Sequence, residues 1–464
     1  MGYYILAHDV ALRSWEGTPY TAVRRFTDMP IRLSPEGFHT ALSCDGMTDL
    51  PDSPELIRLE EIRIIQPCGK GERSLSPWQR HRSYPCRVMP WLSLEITGRC
   101  NYNCLHCFNA ADNARLTSEL SPEQYGRVLD DAAAVGIQAV LITGGEPLVH
   151  PRFNDIVKAV YSRDMFVHEL NTNGRLLTSG VLDLFRSLGY LPEIKISFDG
   201  LGFHDWMRDH VGAEQETLAA IRLCVEEHVP VRVQVNANRR NKESIRPTLR
   251  FLSKMGVPRI RVICTTATPR WAENAPDASF TWDEYLEFAL DEAACYAVDD
   301  CEAELDFWQI ITMKPAIGSY RFHRVLYNSG DYRSTRPICM TMNGMPAVGA
   351  DGELFPCMQC QGTQNAYGIS LGNVLQDGLL PLLQEGRYCD IAHATVYRRL
   401  LQNSKCLFCK WYTWCVGGCP ALGFLHSKGD YLAHDPTACT FFEGGWVERF
   451  EQALPGWTSE TPLT

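Results

Sequence analysis

Between residues 91 and 267 the chain repeats one pattern: a short run rich in Val, Ile and Leu, then a stretch whose apolar residues recur every three or four positions. The runs are 91–97 (WLSLEIT), 139–145 (AVLITGG), 166–174 (FVHELNTNG), 193–199 (EIKISFD), 230–238 (PVRVQVNAN) and 259–267 (RIRVICTTA). The amphipathic stretches fall near 121–135, 153–163, 178–188, 213–227 and 244–255. Apolar strands alternating with helices predict a parallel sheet with right-handed crossovers. Six strands are too few for a closed eight-stranded barrel, so the pattern predicts an incomplete one. In parallel α/β sheets the chemistry lies at the carboxyl ends of the strands. There the sequence places Cys100, Gly144-Gly145-Glu146-Pro147, Thr172-Asn173-Gly174 and Ser197-Phe198-Asp199-Gly200.

The pattern differs before residue 91. Strand-like stretches occur at 3–7, 21–26 and 61–65, and a helix is expected from about Ser34 to Ser43 with Pro35 in its first turn. Asp45-Gly46 predicts a turn, and the Gly-, Pro-, Ser- and Arg-rich stretch 67–90 a linker. The expected division is therefore 1–90, 91–330 and a Cys-rich 331–464. A length of 464 residues agrees with three units at roughly 150 residues each.

Charge narrows the function classes. Lys+Arg is 44 and Asp+Glu is 55, a net charge of −11, which argues against a broad nucleic-acid or anionic-membrane surface. No apolar run approaches the ~20 residues of a spanning helix. No basic segment followed by an apolar one opens the chain, so no export signal is expected and the expected location is the cytoplasm. The chain has 19 Cys, an odd number that full internal disulfide pairing cannot satisfy. In an unexported chain this abundance points to metal binding. Seven Cys are scattered singly (44, 68, 86, 224, 264, 295 and 301), and their ordinary reading is as small buried hydrophobes.

The others cluster. Cys100-Asn-Tyr-Asn-Cys104-Leu-His-Cys107 is C-x3-C-x2-C on one loop after the first strand. Three thiolates suit a [4Fe–4S] cube with one iron left open. The competing reading is zinc, with His106 as fourth ligand. With Phe108 following, the loop resembles the signature of the radical SAM superfamily. The resemblance implies that Cys100, Cys104 and Cys107 hold a [4Fe–4S] cluster whose open iron chelates S-adenosylmethionine, and that reductive cleavage gives a 5′-deoxyadenosyl radical. It further implies cofactor contacts for Gly144, Gly145, Glu146 and Pro147 (a GGEP element, with Glu146 pairing the methionyl ammonium), for Thr172 and Asn173, for Ser197 and Asp199 at the ribose, and for Arg208 at the cofactor carboxylate. Arg270 and Trp271, after the sixth strand, are either cofactor- or peptide-facing or a plain loop anchor.

Near the end of the chain, Cys406-x2-Cys409-x5-Cys415-x3-Cys419 has a spacing expected by chance on the order of once in a thousand such chains. With Cys339, Gly352 and Cys357 before it and Cys439 after it, the array resembles the SPASM extension of radical SAM enzymes. That resemblance implies two auxiliary [4Fe–4S] clusters: an outer one on Cys406, Cys409, Cys415 and Cys439, and an inner one on Cys339, Cys357 and Cys419. The inner set lacks a fourth Cys of the usual pattern. Cys360 supplies it, or an iron is left open for a substrate thiolate. Paired zinc ribbons are the alternative for the whole region.

Residues 1–90 resemble the small winged-helix recognition elements that bind leader segments of ribosomally made precursor peptides, by adding the leader as a strand to a sheet edge. Taken together, the resemblances imply an α/β partial (β/α)6 TIM barrel with an N-terminal winged-helix-like domain and a C-terminal Cys-rich SPASM domain. The implied activity is a peptide maturase carrying three [4Fe–4S] clusters, served by an electron donor such as flavodoxin or ferredoxin. A Cys thioether cross-link of the sactipeptide or ranthipeptide type is the first expectation. C–C or C–O cross-linking comes next, then epimerisation. Anaerobic sulfatase maturases share the array but lack a front unit, so the first 90 residues argue against that reading.

Overall fold

The computed structural model describes residues 2–27, 29–87, 90–107, 118–265, 268–323 and 335–460. The front unit has two small sheets and two helices. β1 (Gly2–Leu6), β2 (Val10–Trp15), β3 (Thr18–Arg24), β4 (Ile31–Arg32), β5 (Asp45–Leu50), β6 (Ile65–Cys68) and β7 (Arg82–Tyr84) pair in the orders β5-β1-β6 and β4-β3-β2-β7. Helices Pro35–Leu42 and Pro54–Glu61 start alike: Ser34 and Ser53 cap them, each with Pro at the first position. They bury Phe38, Ala41, Leu56 and Leu59 against Leu6, Val10, Leu12 and Ile65.

Three sequence expectations change here. Residues 61–65 are not a strand. The Ser53–Pro54 cap and the Leu56/Leu59 spacing extend a helix to Glu61, Arg63 turns left-handed (φ 58°), and the strand starts only at Ile65. Asp45-Gly46 is not a hairpin turn but the irregular start of β5, where Gly46 (φ 78°) and the Asp45 side chain take up a break in register with β1. The 67–90 linker is firmly held: β7 pairs in parallel with β2, and buried Arg13 donates to Trp78 O (2.6 Å) and Arg80 O (2.9 Å).

The six expected strands are present as parallel neighbours: β8 (Trp91–Glu95), β9 (Ala139–Thr143), β10 (Phe166–Thr172), β11 (Glu193–Ser197), β12 (Val231–Ala237) and β13 (Arg259–Cys264). Helices Pro122–Ala134, Phe153–Tyr161, Ser179–Ser187, Ala213–Glu226 and Lys242–Lys254 connect them, close to the ranges expected. A seventh parallel strand, β14 (Glu304–Phe307), follows helix Trp282–Val298. β15 (Ile311–Lys314) and β16 (Ser319–Phe322) then continue the sheet antiparallel. The tail joins both edges. β17 (Ala347–Val348) lies parallel on β8 with β18 (Leu354–Phe355) outside it, and β19 (Thr458–Ser459) pairs with β16. Residues after 330 are thus built into the barrel sheet rather than appended to it.

Along the strands, fully buried apolar residues such as Leu92, Leu94, Val231, Val233 and Val235 alternate with polar ones. The polar positions pair with one another: Lys195 with Glu169 (3.1 Å), Arg232 with Glu193 (2.5 Å) and Arg261 with Asp306 (2.6 Å). A filled TIM barrel carries branched aliphatic layers inside. This one carries ion pairs, as suits a chamber that admits a ligand. The front unit docks at the turn before β9: Trp15 Nε1 donates to Val135 O (3.0 Å), and Gly136 (φ 85°) lies where a Cβ would come within 2.5 Å of the Tyr84 ring. That turn is at the amino end of the strands, opposite the Cys loop.

Candidate functional site

The loop after β8 is held from several sides. Gly145 N donates to Thr97 O (2.8 Å) and Glu146 N to Arg99 O (2.9 Å), so the loop after β9 lies directly on the segment leading into Cys100. A Cβ on Gly144 would stand 2.3 Å from Thr97 O, and one on Gly145 2.3 Å from Arg99 O. The close approach that demands these glycines is to the chain's own backbone.

Glu146 is wholly buried and accepts from Leu148 N (3.1 Å), Thr172 Oγ1 (2.8 Å) and Asn173 N (2.7 Å). Burial outweighs these bonds and pushes its carboxyl up to about 7. Pro147 starts the short turn behind it. Asn173 also donates to Asn101 Oδ1 (2.7 Å), inside the Cys loop, which ties the end of β10 to the loop after β8.

Asp199 and Arg208 find each other. Arg208 Nε lies 2.7 Å from Asp199 Oδ2, with the two side chains 8% and 0% exposed. Asp199 Oδ1 accepts from Asn236 Nδ2 (3.0 Å). Burial works against the Asp199 charge, but Arg208 overrides it and holds the carboxyl well below the usual range. Asp199 N donates to His204 Nδ1 (3.0 Å), leaving the ring proton on Nε2, 3.1 Å from Thr217 Oγ1, which donates to Asn173 O (3.0 Å). Arg208 Nη1 reaches Cys104 Sγ (3.6 Å). The motif after β11 is thereby linked to both the Cys loop and the end of β10. Ser197 ends β11 half-buried, and Phe108 lies outside the described residues.

Two expectations about neighbours are now decided. Arg270 anchors the loop: its guanidinium donates to Cys104 O (3.0 Å), Asn103 O (3.1 Å) and Asn103 Oδ1 (3.1 Å). Trp271 is fully buried with Met207, Ala275 and Ala278. His106 Nε2 takes a hydrogen bond from Asn236 Nδ2 (3.3 Å), and burial pushes the ring down to about 4.

Cys100, Cys104 and Cys107 share one small buried cluster with Tyr102 and Ala213. Burial, with the neighbouring thiols adding to it, pushes Cys100 up to about 12. Thiols so placed ionise only against a strong positive charge, which a metal centre supplies. Buried Arg208 Nη2 and Asn101 Nδ2 have no hydrogen-bond partner among the described residues, leaving donors beside the loop for an anionic group. The residues fit the cluster and cofactor that the spacing suggests.

The tail gathers its thiols into two groups. Cys406, Cys409, Cys415 and Cys439 line one cavity, walled by Trp411 and Phe442. Burial pushes Cys406 up to about 11 and Cys415 to about 12. Cys357 lies near Cys339 and Cys419, and burial pushes its thiol up to about 12. Adjacent Cys415 and Cys419 part because Val416, Gly417 and Gly418 are all left-handed (φ 44°, 86° and 75°), turning the chain sharply between them. Fully buried Arg399 holds that turn, donating to Val416 O (3.3 Å), Gly418 O (2.6 Å) and Ala433 O (2.6 Å). Among the described residues no three His, Cys, Asp or Glu side chains are drawn in tightly enough for a single metal ion. A closed zinc site, with sulfur at about 2.3 Å, is not preformed in either group.

Residues 94–252 match the family model of the radical SAM superfamily. Those residues form a radical SAM domain. The chain is 24% identical over 360 residues to an AdoMet-dependent heme synthase of Methanosarcina barkeri (strain Fusaro / DSM 804), covering 75% of this chain and 95% of that protein. It is 30% identical over 200 residues to the antilisterial bacteriocin subtilosin biosynthesis protein AlbA of Bacillus subtilis (strain 168), covering 43% and 44%. The crystal structure of Streptococcus suis SuiB bound to precursor peptide SuiA superposes with a TM-score of 0.66 at 13% identity, over 94% of this chain and 99% of that one. The fold is the α/β partial TIM barrel of radical SAM enzymes, and the superfamily's [4Fe–4S] cluster and S-adenosylmethionine are the cofactors it implies. Among the described residues no helix is long and apolar enough to cross a membrane.

Sequence reasoning missed three residues of the radical SAM enzyme's framework. Arg399 and Gln361 lie in helices without a motif, and Glu95 precedes the Cys loop on β8. Gln361 Nε2 donates to Glu95 Oε2 (2.9 Å), with both residues almost wholly buried. An alternating strand that places Glu among buried positions was the one available signal for Glu95.

Proposed function

We propose that this enzyme modifies a ribosomally made precursor peptide, joining a Cys sulfur to a carbon of the same peptide. The observation that carries the reading is the grouping of tail thiols, Cys406/Cys409/Cys415/Cys439 around one cavity and Cys339/Cys357/Cys419 apart from it, behind a radical SAM barrel with a docked front unit. Bond formation from C–H and S–H releases one hydrogen atom, one proton and one electron. The cofactors, when bound, supply the 5′-deoxyadenosyl radical that takes the hydrogen atom and, in the tail, iron–sulfur centres that accept the electron. Cys100, Cys104 and Cys107 hold the first cluster, and the two tail groups hold two more, making three.

The chain's own residues position the reaction. Glu146 and the Arg208 guanidinium lie beside the Cys loop for the ammonium and carboxylate of the cofactor. Asp199, already paired with Arg208, orients that guanidinium and adds a polar edge for the ribose with Ser197. The polar barrel interior admits the peptide, and residues 1–90 capture its leader at a sheet edge. The likeness to SuiB over nearly the whole chain supports this.

C–C or C–O cross-linking uses the same machinery and is the second chemistry. A reading with an iron–porphyrin substrate is favoured by one observation, the 95% coverage of the heme synthase. The test is anaerobic incubation of reconstituted enzyme with cofactor, reductant and a short Cys-bearing peptide encoded beside it. Peptide lighter by two hydrogens per link, with fragmentation placing the link on Cys sulfur, supports the proposal. Turnover of porphyrin but not peptide sinks it.

A further inference from the structure

We propose that Cys360 is the fourth protein ligand of the inner iron–sulfur centre, beside Cys339, Cys357 and Cys419, so that this centre has no iron open to a substrate. The proposal rests on the reading of those three thiols as an iron–sulfur site. Cys360 ends the short turn Met358–Cys360, which Cys357 caps, and its N–H donates to Cys357 O (2.9 Å). The pair is C-x2-C on one turn, the same spacing as Cys406 and Cys409 in the outer group and a common way for one loop to give two ligands. Helix Pro420–Ser427, capped by Cys419, packs on that turn.

Cys360 is 0% exposed, as a buried packing Cys would be, but its surroundings differ from those of such a residue. It shares one tight turn with Cys357, and that turn packs on the helix that Cys419 precedes. Cys389, the other unassigned tail Cys, faces elsewhere: its charged neighbours are Arg87, Asp390, Glu16 and Glu385, and its thiol lies 3.7 Å from Leu382 O. The corner carrying Cys360 is also fixed. The next residue, Gln361, is bonded to Glu95 of the barrel (2.9 Å), and Gln364, on the same helix, accepts from Tyr431 (2.5 Å). A fully buried thiol fixed on the Cys357 turn, against the helix that follows Cys419, is a built corner of a site. A centre with four protein ligands can pass electrons but cannot bind a substrate sulfur at iron.

The test uses the full chain reconstituted anaerobically with Cys100, Cys104 and Cys107 replaced by Ala, which leaves the tail irons as the only signal. The parent should hold about eight irons per chain, and its reduced electron paramagnetic resonance spectrum should not respond to cyanide, which binds open iron. Adding Cys360→Ala should alter one of the two signals, with loss of an iron or a new cyanide response. Cys360→Ser should alter the same signal more mildly. A parent spectrum that already shifts with cyanide overturns the proposal without recourse to any Cys360 variant. So does a Cys360→Ala spectrum identical to the parent. A parent without tail iron overturns the iron–sulfur reading itself.

Discussion

Replacing Asp199 by Asn puts an uncharged amide against a guanidinium that has nowhere else to go. Arg208 is 7% exposed and Asp199 0%, and Nε stands 2.7 Å from the carboxylate oxygen. Removing one partner of a buried pair typically costs 3–5 kcal/mol, about 4 here, because the remaining charge is stranded without water. At roughly 2–4 °C per kcal/mol for a domain of this size, the thermal midpoint should fall by roughly 8–16 °C at neutral pH. The double variant Asp199→Asn/Arg208→Met removes both charges and should lose less than the sum of the single variants. The pH dependence follows from the direction of the shift. Asp199 is held below its ordinary value of 3.8, so its contribution is present above that pH and lost as pH falls below it. The gap between wild type and Asp199→Asn should therefore hold down to about pH 4 and narrow progressively below it, closing only where the folded carboxyl itself protonates. Calorimetry or circular dichroism melts from pH 7 to pH 3 check this. Equal midpoints at pH 7, or a gap that persists unchanged to pH 3, refute the reasoning.

Gly145→Ala would set a Cβ 2.3 Å from Arg99 O and 2.6 Å from Gly98 O, both backbone, at a cost of about 3 kcal/mol; the melt should drop and iron at the first cluster should fall, while normal values of both would contradict the packing. Arg399→Met leaves two buried carbonyls and one half-buried one without their donor, at about 1–3 kcal/mol for each buried one. Proteolysis of the variant should begin between Cys415 and Cys439, and an unchanged digestion pattern would count against the anchor. Glu146, raised from 4.5 to about 7 by burial, keeps its proton in the fold after the unfolded chain has lost it. Stability from this group is full below about pH 4.5 and declines as pH rises toward 7, and Glu146→Gln should flatten that part of the profile; parallel wild-type and variant curves would show that Glu146 ionises normally.

The barrel was legible because its strands are runs of five to seven residues rich in Val, Ile and Leu, several of them alternating with polar positions, separated by amphipathic helices. What escaped has short range or long-range cause. β14 has four residues, and β17, β18 and β19 have two each, too few for any periodicity to register. Residues 61–65 alternate like a strand, but a cap eight residues earlier had already committed the chain to helix.

Site positions were legible as positions, less so as partners. The sequence marks Gly144 and Gly145, and the structure shows a close approach there to carbonyls of β8's exit, which no local motif records. Asp199 and Arg208 were marked separately, and only the short helix His204–Arg208 brings them together. Spacing divided the tail thiols; the left-handed run Val416–Gly417–Gly418 that separates Cys415 from Cys419 shows in the sequence only as two glycines. Arg399, and Gln361 with Glu95, belong to no motif, and their partners lie 17 to 266 residues away along the chain.

The most direct measurement is made on the full chain reconstituted without oxygen and supplied with S-adenosylmethionine, a reductant and a candidate Cys-bearing precursor peptide. The account predicts a brown, iron-loaded protein, 5′-deoxyadenosine formed in step with product, and peptide lighter by two hydrogens per cross-link. A colourless zinc-loaded chain, or 5′-deoxyadenosine formed with the peptide left unmodified, would contradict it.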